Sequence, residues 1–182
     1  FFDDTIKKEE DIEKYIKIKT LGNVPINENK KQDIVNRNNG NSYIIECINT
    51  IRTNILYMNS TKNAKTILVT SCTPREGKSW ISANIAISFA ETNKKVLLID
   101  GDMRKGRANK IFGIKNTKGL SDYLYFIKGN VKQDIEIGKK YIKETKTPNL
   151  HILTNGTIPP NPSELLASSS MKELIALMEN IY

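Results

Sequence analysis

The chain has one histidine, one tryptophan and two cysteines in 182 residues. Cys47 and Cys72 stand far apart, and with only His151 beside them they exclude a zinc site of His and Cys ligands. The same lone pair excludes a disulfide framework and suits a reducing compartment. No apolar run approaches the roughly 20 residues that cross a bilayer. The opening "FFDDTIKKEE" follows two phenylalanines with acids, so it has no signal-peptide core. Nor is there any block of about five or six like charges. The formal net charge of +8 therefore comes from scattered lysines and marks no nucleic-acid-binding patch. An initiator methionine is also lacking, so the expectation is a piece of a longer chain.

What is present fits a soluble α/β domain behind a polar tail: 38% of residues are hydrophobic and 26% charged. Residues 1–41 read as a tail and linker, and 42–182 as a domain. In "DDTIKKEEDIEKYIKIK", Ile6, Ile12 and Ile16 give a short helical period, with acids on the early turns. "LGNVPINENKKQDIVNRNNGN" reads as an extended connection. Ile44, Ile45, Ile48, Ile51, Ile55 and Leu56 predict a helix over 42–57.

Three short apolar runs then predict strands: "KTILVTS" (65–71), "KKVLLIDGD" (94–102) and "NLHILTNG" (149–156), the last making His151 a strand residue. Between them, "WISANIAISFAET" is apolar on most sides, as a buried helix is, and "GLSDYLYFIKG" (119–129) predicts a short amphipathic one. "PPNPSELLASSSMKELIALMENIY" opens a helix with Asn161 as N-cap, Pro162 at N1 and Glu164 at N3. Strand–helix alternation of this kind predicts a parallel sheet with right-handed crossovers.

The candidate site is "SCTPREGKSW" (71–80), after a predicted strand and opening the buried helix. In a parallel sheet, ligands lie outside the carboxyl ends of the strands. Gly77 lets the backbone approach a phosphate without a Cβ, and the helix start offers free N–H groups and about half a positive charge. Lys78 can reach the β- and γ-phosphates, and the Ser79 hydroxyl can bind magnesium. Cys72 occupies the place of the first glycine in the general pattern G-x-x-x-x-G-K-[ST]. Asp100 and Asp102 end the next predicted strand, hence beside the same crevice. One can hold the metal while the other accepts the proton of an attacking hydroxyl. Arg104 could pair with an acid or with phosphate.

These residues resemble a family. "KTILVTSCTPREGKSWISANIAISFA", "KKVLLIDGDMRKGRANKIFG", "KGLSDYL" and "LHILTNGTIPPNPSELLASSSMKELI" are similar to the cytoplasmic domain of bacterial protein-tyrosine kinases (BY-kinases) of capsular and exopolysaccharide biosynthesis. "DDTIKKEEDIEKYIKIKTLGNVP" resembles the membrane-proximal cytoplasmic tail of a Wzz-type chain-length determinant. The resemblance implies a P-loop NTPase-like, doubly wound parallel sheet, incomplete here because its C-terminal strands would follow Tyr182. It implies ATP and Mg2+ as cofactors, with Thr73, Pro74, Arg75, Glu76, Gly77, Lys78, Ser79 and Trp80 around the nucleotide. Lys78, Asp100 and Asp102 would be catalytic, and Ser79 and Asp102 would hold the metal.

Glu46 and Arg52 match a ring-forming motif, E-x-x-R-x-x-R, in which Asn49 replaces an arginine. The implied partners are copies of the chain itself, phosphorylating one another in a ring, a Wzz-type membrane modulator and other tyrosine substrates. The implied place is the cytoplasmic face of the bacterial inner membrane, with a transmembrane segment before Phe1. Arg75 and Trp80 stand where the family usually has Gly and Thr. They leave open a second reading, a catalytically impaired nucleotide-binding subunit of the export machinery. A partition ATPase of the same branch would carry a lysine at Thr73, and it is absent.

Overall fold

The computed structural model describes residues 9–27, 33–35, 42–127 and 140–182, in two compact units, Phe1–Asn63 and Ala64–Tyr182. The first unit contains α1 (Glu9–Ile16) and α2 (Ser42–Asn59). Ile12 and Ile16 lie in α1 as the helical period predicts, whereas Ile6 and most of the linker lie outside the described residues. On α2, Ile44, Ile48 and Ile51 are buried, a spacing of four and three that lines one stripe. The chain near Gly22 lies along this helix. Asn54 Nδ2 donates to the Leu21 carbonyl at 2.8 Å.

The second unit runs α3 (Lys78–Ala90), β1 (Val96–Ile99), α4 (Ala108–Ile111), α5 (Leu120–Ile127), β2 (Lys143–Glu144), β3 (Leu150–Leu153), α6 (Pro162–Ala167) and α7 (Ser169–Glu179). The sheet has the order β1-β3-β2. β1 and β3 are parallel, with Val96 opposite Leu150 and Ile99 opposite Leu153. β2 is antiparallel to β3, with Glu144 opposite His151. The α/β class is as expected, and the parallel pair joins two of the three predicted strands.

The remaining predicted strand, the first along the chain, is a correction. Residues 65–71 form no ladder among the described residues, and Ile67 and Leu68 are 48% and 87% exposed. An apolar β-branched run becomes a strand only where a neighbour offers a free edge in register. Here the segment is anchored by polar contacts to the end of α7. Lys65 Nζ donates to the Glu179 carbonyl at 2.5 Å, and Thr66 Oγ1 to the Glu179 carboxylate at 2.6 Å. The three-stranded sheet is therefore mixed, with β2 as a strand the hydrophobic pattern did not announce.

Leu97, Ile99 and Leu153 face a core of Met103, Leu120, Tyr123, Leu124, Tyr141, Leu174 and Met178. Side chains alternate along a strand, so Val96, Leu98, Leu150 and Ile152 face the other way. α3 packs against both β1 and β3. Residues 83–90 of α3 are buried without interruption, as its all-round apolar composition requires. Its polar members are internally bonded: Asn84 Nδ2 donates to the Trp80 carbonyl at 2.9 Å.

The last predicted helix is two helices. Ser168 is extended, ends α6 and caps α7, its hydroxyl accepting from the Met171 N–H at 3.2 Å. Asn161 precedes Pro162 at the start of α6 but makes no cap with its side chain. It donates instead to the Glu164 carboxylate at 2.6 Å, which corrects the expected capping box.

Candidate active site

α3 begins directly at the Gly-Lys-Ser sequence. Gly77 is the N-cap, with φ 88° in the left-handed region that glycine adopts without penalty. It has no side chain with which to cap the helix, so the first-turn N–H groups lack intrahelical acceptors and face outward. A Cβ at Gly77 would meet nothing within 4 Å, so the space before the helix is open. Thr73, Pro74, Arg75 and Glu76 are exposed, and Lys78, Ser79 and Trp80 are half-buried.

The loop is tied by its own side chains. Glu76 accepts from the Thr73 hydroxyl at 2.7 Å and the Thr73 N–H at 3.2 Å, and these bonds hold its carboxyl below the usual range. Arg75 has φ 74°, so a bulky residue sits where the backbone turns left-handed.

Across the crevice, β1 ends at Ile99 and delivers the two acids. They diverge rather than sharing one rim. Asp102 turns to the phosphate loop, its Oδ2 2.9 Å from Lys78 Nζ. Burial pushes its pKa up, but the Lys105 N–H and the Lys78 ammonium outweigh burial and hold it below the ordinary value. Asp100 turns into the protein. Its two oxygens accept from the N–H groups of Asp102 at 3.2 Å and Ala108 at 3.0 Å. Burial dominates there and raises its pKa despite those bonds. Arg104 is exposed beyond them.

No family model matches the chain. CapB of Staphylococcus aureus is 42% identical over 141 residues, 78% of this chain and 58% of CapB. The tyrosine-protein kinase YwqD of Bacillus subtilis is 43% identical over 125 residues, 69% of this chain and 49% of YwqD. Among solved structures, the chimerical protein CapA2B2 superposes with a TM-score of 0.77 at 35% identity, covering 95% of this chain and 71% of that one. The chain belongs to the bacterial tyrosine-protein kinase family. It spans about half the length of these curated relatives.

In this kinase-family chain the fold brings Lys78 and Asp102 into contact and sets Asp100 behind them. Glu46 and Arg52 lie on α2, in the other unit. Glu46 is exposed, and Arg52 Nη1 donates to Asn49 Oδ1 at 3.2 Å, so the neutral Asn49 accepts a bond from the arginine that the motif retains. His151 takes no part in the crevice. Its Nδ1 lies 2.8 Å from the Tyr182 hydroxyl, as befits a strand residue.

Two residues of the site were missed from the sequence, Gly106 and Asn155. A Cβ at Gly106 would stand 2.6 Å from Asp100 Oδ2 and 2.7 Å from both the Asp102 carbonyl and Asn155 Cγ. The available signal was "TNG" straight after an apolar strand, a polar residue at the carboxyl end of a parallel strand. Among the described residues no helix is long and apolar enough to cross a membrane.

Proposed function

We propose that the chain forms the nucleotide-binding part of an ATP- and Mg2+-dependent protein-tyrosine kinase that phosphorylates copies of itself and other tyrosine substrates. The observation that carries this reading is the Lys78–Asp102 contact at 2.9 Å, which brings a phosphate-loop lysine and a strand-end acid to one point. The residues fit the nucleotide. An uncapped helix start, open space before Gly77 and a half-buried lysine suit a triphosphate. Ser79 and Asp102 offer two oxygens to magnesium. That ion retains waters and takes phosphate oxygens, so it needs no larger protein cage. Among the described residues no group of three or more potential ligands gathers anywhere.

Bound Mg-ATP supplies the transferable phosphoryl group. The amides at the start of α3 would bind and orient the phosphates, and the Lys78 ammonium would hold a phosphate oxygen. Asp102, held ionised, is suited to the metal. Asp100, whose proton affinity burial raises, would accept the proton of the tyrosine hydroxyl on turning outward from the Asp102 and Ala108 N–H groups that hold it in the ligand-free protein. Positioning and charge stabilisation supply most of the rate in such transfers.

Self-association through Glu46 and Arg52 of α2 would bring one copy's tyrosines to another's crevice. A Wzz-type modulator, in cis or in trans, would hold the assembly at the cytoplasmic face of the inner membrane and couple it to polysaccharide chain length and export. The test is calorimetry with Mg-ATP and tyrosine phosphorylation by the full-length protein. Both are expected with the parent and lost with Lys78→Met. Absent nucleotide uptake by the parent overturns the reading.

Arg75 in a left-handed conformation and Trp80 on the first turn of α3 favour a second reading, a regulatory subunit that binds nucleotide without transferring phosphate. Magnesium-dependent ATP binding without tyrosine phosphorylation in the parent protein would select it.

A further inference from the structure

Asn155 lies just beyond the end of β3, beside the crevice. It is only 5% exposed, yet among the described residues its side-chain oxygen has no hydrogen-bond partner. An acceptor buried without a donor weakens a fold, so such a group calls for a reason other than stability. Its main chain is fixed by its neighbours. The Asn155 carbonyl accepts from the Ser121 N–H at 3.1 Å, and the next residue, Gly156, donates its N–H to Asn116 Oδ1 at 3.0 Å.

The carboxamide abuts Gly106. The point where a Gly106 Cβ would stand is 2.7 Å from Asn155 Cγ and 2.6 Å from Asp100 Oδ2, so the two side chains close on the same glycine. That glycine belongs to the turn that shapes both acids. Its N–H donates to the Asp102 carbonyl at 2.8 Å, and the Asp100 carboxylate accepts from Asp102 and Ala108 on either side of it.

We propose that Asn155 is a positioning residue for phosphoryl transfer. Braced by the start of α5, its carboxamide bears on Gly106 beside the Asp100 carboxylate, and its polar group, which an apolar side chain lacks, holds that acid and the 100–108 turn in the arrangement that sets Asp102 against Lys78. This rests on the kinase reading above. An apolar side chain of the same shape would fill the space without an orphaned oxygen, so stability and catalysis make opposite demands at this position.

The experiment measures kcat, KM for ATP and thermal midpoint on the full-length protein for Asn155→Leu, with Asp100→Ala as reference. Asn155→Leu is expected to melt no more than about 2 °C below the parent, to keep KM within about twofold, and to lose at least about tenfold in kcat. Unchanged kcat overturns the proposal, and so does a loss of kcat that only accompanies a fall in melting temperature. Should Asn155→Leu fail to fold, the smaller, uncharged Asn155→Ala takes its place. It is expected to keep KM for ATP within about twofold, retain nucleotide binding and lose at least about tenfold in kcat, and an unchanged kcat overturns the proposal equally. If Asp100→Ala keeps full activity, the underlying reading of the acids falls and the proposal with it. If Asp100→Ala is inactive and Asn155→Leu normal, only the proposal falls.

Discussion

Lys78 Nζ and Asp102 Oδ2 lie 2.9 Å apart, joining the start of α3 to the turn after β1, and both side chains remain about one-third exposed. A pair that wet contributes little to stability, on the order of 1 kcal/mol or less. A double-mutant cycle of Lys78→Met and Asp102→Asn, followed by denaturant unfolding, is expected to give a coupling within that range. Phosphate-dependent binding should vanish in each single mutant. A coupling of several kcal/mol would make the contact a structural staple instead.

The two acids should titrate on opposite sides of the ordinary aspartate value of about 3.9. Asp102, held low, contributes stability that is present above that value and lost as pH falls through its own lower pKa. Asp100, held high by burial, favours the fold below the ordinary value, and this contribution is lost as pH rises through its raised pKa. Carboxyl-carbon NMR titration of the ligand-free protein is the check. Coincident midpoints would contradict the different environments of the two side chains.

Arg75 holds φ 74° at an exposed loop position. Left-handed backbone costs a non-glycine residue about 1 kcal/mol, part of which glycine returns through its freer unfolded chain. Arg75→Gly is expected to raise stability by about 0.5 kcal/mol, measurable as a small rise in melting temperature. A drop in stability would show that the arginine makes compensating contacts.

Gly119 has no room for a methyl group. A Cβ there would stand 2.3 Å from the Gly156 nitrogen and the Thr154 carbonyl, both backbone atoms that cannot yield singly. Gly119→Ala should destabilise the second unit by about 3 kcal/mol or more. Gly101→Ala, where a Cβ meets nothing within 4 Å, should change stability by about 0.5 kcal/mol at most. Chemical denaturation of the two variants side by side decides it.

In the first unit, the Asn54 side chain holds the Leu21 carbonyl, and Gly22 at φ 151° would bring a Cβ within 3.0 Å of Ile51 Cγ1. Asn54→Leu should loosen residues 20–23 at a cost of about 1 kcal/mol, seen as faster proteolysis or amide exchange there. Unchanged protection would mean that the segment is held by other contacts.

The order of elements along the second unit was written in local pattern. The Ala- and Ile-rich run after Ser79 is apolar on every side and became the buried α3. Gly77, with no Cβ, lies where the chain turns into that helix. "VLLI" and "LHIL" became the parallel pair, because short runs bounded by polar residues carry their own limits. The phosphate loop was legible because its chemistry lies in contiguous residues.

Tertiary structure decided what depends on partners distant in sequence. "KTILVTS" has the composition of a strand, yet a ladder needs an edge beside it, and composition says nothing of edges. The extended backbone at Ser168 divides α6 from α7 within a continuous helical pattern, because packing favoured a hydroxyl cap over an unbroken helix. Asp100 and Asp102 are alike in type and two residues apart, so only the turn through Gly106 could bury one and leave the other beside Lys78. Asn155, read as part of a strand end, acquired its place only when β3 and the turn after β1 were brought side by side. Spacing along a chain carries local conformation, whereas burial and close approach arise only when remote segments meet.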